Sequence, residues 1–338
     1  VTGFSSSTLS ALALDGQGNI TVPAGSDVSL GSGLMLNSVA IDRAGENLYV
    51  AEENSGIYPV ALSFSGRSVT MTAGNVVASG SGGCLYVVTD PAPGSANIFT
   101  SDGASASAFD CSSAGLKLDN SLQAGGSSGW LAYGPPGGLS VDPQARYLYI
   151  ASDTDEGTWQ IPLSGVTIGT PGNLAGSQSS NMGPDCCLVD PSNQNLVVGN
   201  DDGTIEVFSL SGGLAENSNQ GPIQGGSTGG SIMAIAFDPT GSYFATANGP
   251  SNDVCLFSYD GNSGSANIAS TAIGLNNTTG VIFNPDASTP VVYFANTGAS
   301  PASIAAFKYG RNTLDLLNNG RPFPTSANVA GPTGMAIK

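Results

Sequence analysis

Apolar residues along this chain fall in short alternating runs, and the runs come in pairs. SVAIDRAGENLYVAEE from Ser38, GLSVDPQARYLYIASD from Gly138 and CLVDPSNQNLVVGNDD from Cys187 share one order: apolar strand, polar turn opened by Asp, second apolar strand. AIAFDPTGSYFATANG from Ala234 and GVIFNPDASTPVVYFAN from Gly280 repeat it, LYVVTDPAPGSANIFTSDG from Leu85 is a looser copy, and PTGMAIK at the C-terminal end is a truncated one. A period of two over four to eight residues, bounded by Gly, Pro, Asn and Asp, is the mark of a β-strand. Further short alternating runs follow at Ile57 to Leu62, Ile205 to Leu210, Val254 to Tyr259 and Ile304 to Tyr309. After them come polar turns such as DGNSG and a more polar fourth run.

The turn position recurs at Asp42, Asp90, Asp142, Asp190, Asp238, Asn284 and Lys338, at spacings of 48, 52, 48, 48, 46 and 54. Propeller blades of four strands repeat at about 40–50 residues. The spacing therefore predicts an all-β chain: a seven-bladed β-propeller of four-stranded antiparallel blades, with residues 1–338 as one domain. Both faces of the inner strands are apolar, as buried blades require. Val39 and Ile41 point one way and Ala40 the other, while Ile235 and Phe237 oppose Ala234 and Ala236. The Asp of each turn accepts hydrogen bonds from its own loop, and the Pro presets the next φ.

The last marker leaves a seventh blade divided between the two ends of the chain. Gly334 to Lys338 supplies its inner strand, and Thr8 to Leu14 matches Gly56 to Leu62 at an offset of 48. The closing blade is thus expected to be shared by the N- and C-termini, which should lie side by side. An edge left open there would accept a strand, giving self-association or a cell-surface partner.

Composition narrows the partners. Charged residues are only 10% of the chain, and 8 Lys and Arg face 25 Asp and Glu, for a net charge of −17. Such a surface repels phosphate backbones and anionic headgroups, so nucleic acid is excluded as a partner class. No apolar run is long enough to span a membrane, and no basic, apolar-cored leader is present in the sequence given. Few Lys with many Ser, Thr, Asn and Gly suggests an extracellular, cell-surface or periplasmic setting. No Gly-rich phosphate loop joins a strand to a helix, so nucleotide chemistry is not indicated.

The blades resemble the lactonase-like, or YVTN-repeat, seven-bladed propellers. NLYVAEE (47–53), YLYIASD (147–153), GTIEVFSL (203–210), SNDVCLFSYDGNSG (251–264) and SIAAFKYG (303–310) carry the resemblance over nearly the whole chain. It implies a sugar-lactone hydrolase with carboxylate, His and Arg side chains near the central channel. The chain departs from that pattern. It has no His, it reads Asp185, Cys186 and Cys187 where relatives often carry His, and Gly249 stands where the resemblance leads one to expect Glu. A His general base is excluded; water activation by a carboxylate is not.

The carboxylates cluster in one set of loops. In a propeller the loop after each second strand shares a face with the loop leading into the next blade. Here that loop carries Glu52 and Glu53, Asp102, Asp153, Asp155 and Glu156, Asp201 and Asp202, and Asp253. Asn54, Asn200, Asn248, Asn252 and Asn296 accompany them, and the nine carboxylates out of 25 should make one face strongly negative. Oxygen ligands of this kind suit calcium or another divalent cation, although no stretch has the EF-hand spacing. Turn formation alone also favours Asp and Asn there. Trp130 and Tyr133 sit in a Gly/Pro-rich loop of the same face and could stack on a sugar, whereas Trp159 lies on a strand and packs. The five Cys show no convincing pairing and no zinc spacing, and read as small packing residues. Two functions follow. The first is an exported or cell-surface binding or structural module that needs no cofactor. The second is a lactone hydrolase using carboxylates, with or without a divalent metal, on the acidic face. The ligand-binding candidates are Glu52, Glu53, Asp153, Asp155, Asp201, Asp202, Asp253, Trp130 and Tyr133.

Overall fold

The computed structural model describes residues 1–338 apart from 5, 22–25, 67, 81, 94, 103–104, 112–115, 124–137, 153–156, 173, 177–182, 211–214, 217–221, 227–229, 300–301, 327–328 and 338. The regular elements of the described residues are β-strands but for one short helical turn, and tight turns join them. Six antiparallel sheets of four or five strands follow one another in sequence, with a three-stranded sheet and a two-stranded hairpin at the N-terminal end.

Each of the six sheets is a meander. In the first, Leu36–Ile41, Asn47–Glu52, Gly56–Ser65 and Ser68–Ala73 pair in chain order. The inner strands of the others are Tyr86–Thr89, Leu139–Val141, Pro184–Val189, Ile232–Phe237 and Thr278–Phe283. Four strands per sheet hold in three cases only. In the other three the fourth position is split into two short pieces, as where Thr313–Leu316 and Phe323–Pro324 both pair with Ser303–Gly310. The break there is the run Asn318, Asn319 and Gly320, all at positive φ, followed by a Pro that cannot donate to a ladder.

Alternation along the inner strands does what the pattern requires. Ile235 and Phe237 pack into the cluster between the fourth and fifth sheets with Cys186, Val207 and Phe257. Ala234 and Ala236 face the next cluster, with Phe283, Phe294 and Phe307. Large side chains thus fill the gap on one side of a strand, and small ones admit the neighbouring sheet on the other. Phe244 and Phe257 stack at 4.6 Å between ring centroids with planes 7° apart. Trp159 packs against the cluster of Phe99, Leu148 and Ile161.

The six inner strands and residues 335–337 together line a central channel of about 560 Å³. Each inner strand is laddered on one side only, so its second edge faces this channel. At the lower end of the channel lie the Asp turns. Asp42 accepts from the backbone of Glu46 (2.8 Å) and from Asn47 Nδ2 (2.7 Å), and Asp190 repeats the arrangement with Gln194 (2.9 Å) and Asn195 Nδ2 (3.0 Å). Two of these aspartates also accept a phenol from the following sheet: Tyr259 Oη donates to Asp190 at 2.9 Å and Tyr309 Oη to Asp238 at 3.3 Å. Three residues after the Asp the chain turns through positive φ, at Gly45 and Gly241 but also at Ala145 and Asn193.

The two ends of the chain meet. Thr2 N donates to Gly334 O (3.0 Å), Thr333 N to Thr2 O (3.1 Å), and Gly3 bridges Pro332. Thr2–Gly3 pairs in turn with Thr8–Ser10, and that strand with Asp27–Ser29.

Candidate functional site

The upper end of the channel, where the inner strands begin and the second strands finish, carries the acidic loops. The described carboxylates there are turn builders first. Glu52, 1% exposed, accepts from Met35 N (3.1 Å), Asn54 N (3.0 Å) and Ser55 Oγ (2.5 Å). Asp253, fully buried, accepts from Asn248 Nδ2 (2.9 Å) and Ser251 Oγ (2.6 Å). Asp202 accepts from Thr204 N and Oγ1 at 2.9 and 2.7 Å, and Asp102 from Ser105 N and Oγ at 2.8 and 2.7 Å. Exposed Asp201 accepts from Gly183 N at 3.2 Å, and Glu53 is half-buried. Asp153, Asp155, Trp130 and Tyr133 lie outside the described residues. Among the described residues no three Asp, Glu, Cys or His side chains gather closely enough to hold a metal ion.

A second ring of residues lies nearer the channel. The ladder between inner and second strands slips by one residue near its upper end in four sheets, between Leu36 and Ser38, Pro184 and Cys186, Ile232 and Ala234, and Thr278 and Gly280. The unladdered residue is Asn37, Asp185, Met233 or Thr279. A bulge at a sheet edge re-aims one side chain, and such bulges are common beside binding sites. The four positions correspond under the blade repeat, and the side chains there run amide, carboxylate, thioether and hydroxyl. Thr279 Oγ1 donates to Pro332 O at 3.1 Å, and Thr333, at the matching place near the C-terminal end, donates to Leu36 O at 2.7 Å.

Asp185 is the one carboxylate of this ring. It is 6% exposed and accepts a hydrogen bond from Ser231 Oγ, which lies just above the next inner strand. Tyr86, on the second sheet's inner strand, is close enough to be affected by it: burial pushes the phenol well above its ordinary pKa, and the charges of Asp185 and Glu53 add to the rise. Asp185 and Ser231 are thus in contact, and Tyr86 feels the charges of Asp185 and Glu53, so residues of four sheets converge on this end of the channel. Asp185 is not one of the turn carboxylates, because it lies within the inner strand Pro184–Val189. The signal that finds it is the repeat itself: it stands 148 residues after Asn37, where the other sheets carry uncharged side chains.

The cations lie elsewhere. None of the loops at the upper end contains Lys or Arg. Arg43 and Arg146 are in the lower turns, where Arg146 Nε pairs with Asp142 at 2.9 Å. Lys117 and Lys308 lie at the lower ends of their strands, paired with Asp110 and Val291. All five cysteines are free thiols, four of them buried, and burial raises the pKa of each.

No known protein family matches the chain by sequence, and no curated protein is similar to it at that level. Solved structures are similar in fold. The periplasmic gluconolactonase PpgL of Pseudomonas aeruginosa superposes with a TM-score of 0.68 at 14% identity, over 96% of this chain and 93% of that one. A Bacteroides uniformis protein described as a candidate 6-phosphogluconolactonase gives 0.72 at 14% identity, over 91% and 90%. The β-propeller domain of Cps50 (Swd1) from Myceliophteria thermophila gives 0.61 at 10% identity, over 88% of each chain. Identities this low speak for architecture and not for chemistry. The chain has the fold of the lactonase-like β-propellers.

Proposed function

We propose that this chain is a lactonase-type hydrolase that opens an uncharged, hydroxyl-bearing lactone at the upper mouth of its channel, with Asp185 as general base. The observation that carries the reading is the placement of Asp185: a buried carboxylate on a bulge at the channel edge, held by the Ser231 hydroxyl. In the reaction Asp185 takes a proton from water as the water oxygen bonds to the lactone carbonyl carbon. The ring C–O bond then breaks, and the proton passes to the departing ring oxygen, giving the open hydroxy acid. The Ser231 hydrogen bond fixes the carboxylate's orientation. Because the upper loops hold no Lys or Arg, a phosphorylated lactone would meet only repulsion there, and a neutral one is preferred. This reading needs no resident calcium or other divalent ion, so a chelator should leave turnover unchanged.

The finer architecture belongs to the same proposal: one domain of seven blades over residues 1–338, with the seventh built from both ends of the chain. Its support is the seven inner segments that line one channel and the Thr2–Gly334 hydrogen bonds. An exported, periplasm-like setting fits the scarcity of Lys and the periplasmic gluconolactonase among the structural neighbours.

A second reading has its own observation. The sequence has no His, and Glu52, Asp102, Asp202 and Asp253 are engaged in turns. On that reading the mouth binds a neutral sugar-like ligand without turnover. The experiment is a panel of glucono-δ-lactone, γ-butyrolactone and a phosphorylated sugar lactone, assayed by acid release with wild-type protein and Asp185→Asn. Turnover of a neutral lactone that falls at least a hundredfold in a folded Asp185→Asn variant supports the hydrolase. Absence of turnover, with saturable binding of a neutral sugar, supports the binding module instead.

A further inference from the structure

A buried amide donor with nothing to accept from it costs free energy, so folded chains keep few of them. Asn37 keeps one. It is 7% exposed, and no atom of the described residues accepts from its Nδ2. The amide oxygens of Asn248 and Asn296 also lack a donor among the described residues. Those two recur 48 residues apart at the ends of second strands, so they answer a need of the fold. Asn37 does not recur: Asp185, Met233 and Thr279 take its place in the other bulged strands.

The matching side chains show what this place ordinarily does. Thr279 Oγ1 donates to Pro332 O at 3.1 Å, Thr333 Oγ1 donates to Leu36 O at 2.7 Å, and Asp185 accepts from Ser231 Oγ. Each ties one inner segment to the chain entering the next. Asn37 Nδ2 makes no such tie within the described residues. Its bulge lies two residues above Val39, where its strand begins to line the channel, as Asp185 lies three above Leu188. The second and third sheets stand between these two strands on one side, and the fifth and sixth sheets with residues 335–337 on the other. Asn37 and Asp185 therefore stand on opposite walls of the upper mouth.

A carbonyl group placed between those walls meets complementary groups. As water activated by Asp185 bonds to the carbonyl carbon, negative charge gathers on the carbonyl oxygen. The upper loops supply no Lys or Arg to meet that charge. An Asn amide offers two N–H donors, and a donor already fixed where charge develops lowers the barrier most in a site shielded from water. We infer that Asn37 Nδ2 is the carbonyl-binding donor of the mouth: it holds the ring C=O of a neutral lactone and stabilises the oxyanion formed from it. Asn37 gives up no proton and forms no covalent bond in this role. The oxyanion step rests on the hydrolase reading, whereas the carbonyl contact does not and is measurable without turnover.

The test compares glucono-δ-lactam, an unreactive analogue of the lactone, with 1,5-anhydroglucitol, the same ring without the carbonyl, by titration calorimetry. Wild type should bind the lactam roughly tenfold or more tightly, the order expected for one hydrogen bond to an otherwise unpaired buried donor. Asn37→Leu, which keeps the bulk and loses the donor, and Asn37→Ala should bind the two ligands within about twofold of each other, while Asp185→Asn keeps the preference. Asn37→Leu should melt no lower than wild type, because it removes a buried donor that has no acceptor. On glucono-δ-lactone its kcat should fall about a hundredfold, with KM changed far less. A lactam preference that survives in the folded Asn37 variants, or that wild type lacks, overturns the inference whether or not a lactone is turned over. So does unfolding of both variants, which would make the amide part of the fold. An unchanged kcat in a variant that has lost the preference overturns the oxyanion role. A wild type that turns over no lactone, yet loses its lactam preference with Asn37, upholds the carbonyl contact and refutes the hydrolase alone.

Discussion

Removal of one phenol oxygen tests how the sheets are fastened at their lower ends. Tyr259 comes from the fifth sheet and donates to Asp190 of the fourth at 2.9 Å, in a buried setting. Asp190 is otherwise well served, accepting from Gln194 N (2.9 Å), Asn195 N (3.2 Å), Ser192 Oγ (2.9 Å) and Asn195 Nδ2 (3.0 Å). Tyr259→Phe thus removes one charge-assisted hydrogen bond without leaving the carboxylate bare, a loss at the low end of about 1.5–3 kcal/mol. An unfolding entropy of roughly 2.1 cal/mol/K per residue, taken over 338 residues, gives about 0.7 kcal/mol per degree. The expected fall in Tm is therefore about 2–3 °C. Tyr309→Phe breaks the longer 3.3 Å bond to Asp238 and should cost about half as much. Asp190→Ala removes the acceptor of five bonds and leaves the Tyr259 hydroxyl buried without one. It should cost about 3–5 kcal/mol, or roughly 4–7 °C. Circular dichroism melts of the three variants and of the Tyr259→Phe/Asp190→Ala double mutant form a cycle. The reasoning fails if Tyr259→Phe melts within half a degree of wild type, or if the double mutant is the sum of the singles.

In a lactone assay Asp185→Asn should lose turnover while its melt stays close to wild type, and Ser231→Ala should lose a smaller part, since it only orients the carboxylate. Ala145 holds φ at 54°, so Ala145→Gly should raise stability by about 0.5–1 kcal/mol in urea titration, as strain relief of about 1–2 kcal/mol outweighs the added backbone entropy. Burial pushes the thiols of Cys111 and Cys255 up to about 11 and that of Cys187 to about 12. The unfolded chain ionises near the ordinary value of 9.0 while the folded one stays protonated. It therefore binds fewer protons above that pH, so the urea midpoint should hold steady below pH 9 and fall between pH 9 and 11. Phe257→Ala, which removes one ring of the stack with Phe244, should destabilise by about 3–5 kcal/mol in the same titration.

Strand pairing and side-chain facing were legible in the sequence because both follow from local periodicity. The turn aspartates mark where one strand ends and the next begins, and the opposed facing of Phe237 and Ala236 is fixed by a period of two. The split fourth strands were not legible, since outer strands are polar on both sides and only Gly, Asn and Pro mark where they break. The Tyr259–Asp190 bond spans 69 residues and depends on how two sheets approach, which no local pattern encodes. The acidic loops were visible as composition, but composition does not say what a carboxylate does. Glu52 ends one strand and Asp253 begins another, and each faces N–H and O–H groups of the adjoining turn.

A repeat protein carries its own control for separating structure from function. A residue that recurs at one place in blade after blade answers a need common to all blades, and a ligand is not such a need. The turn aspartates meet that description: Asp42, Asp142, Asp190 and Asp238 each receive the N–H groups of their own loops. Asn200, Asn248 and Asn296, spaced 48 apart at the ends of second strands, meet it as well. The bulge position of the inner strands behaves oppositely. The backbone distortion recurs in four sheets, so the geometry is structural, while the side chain changes from Asn37 to Asp185, Met233 and Thr279. A position whose backbone is repeated but whose side chain is not is free to serve chemistry without cost to the fold. Its changing side chain on a repeated bulge, more than the acidity of the upper face, singles out Asp185. It also explains why replacing Asp185 should cost activity, whereas replacing Asp190, of the same residue type five positions later, should cost stability.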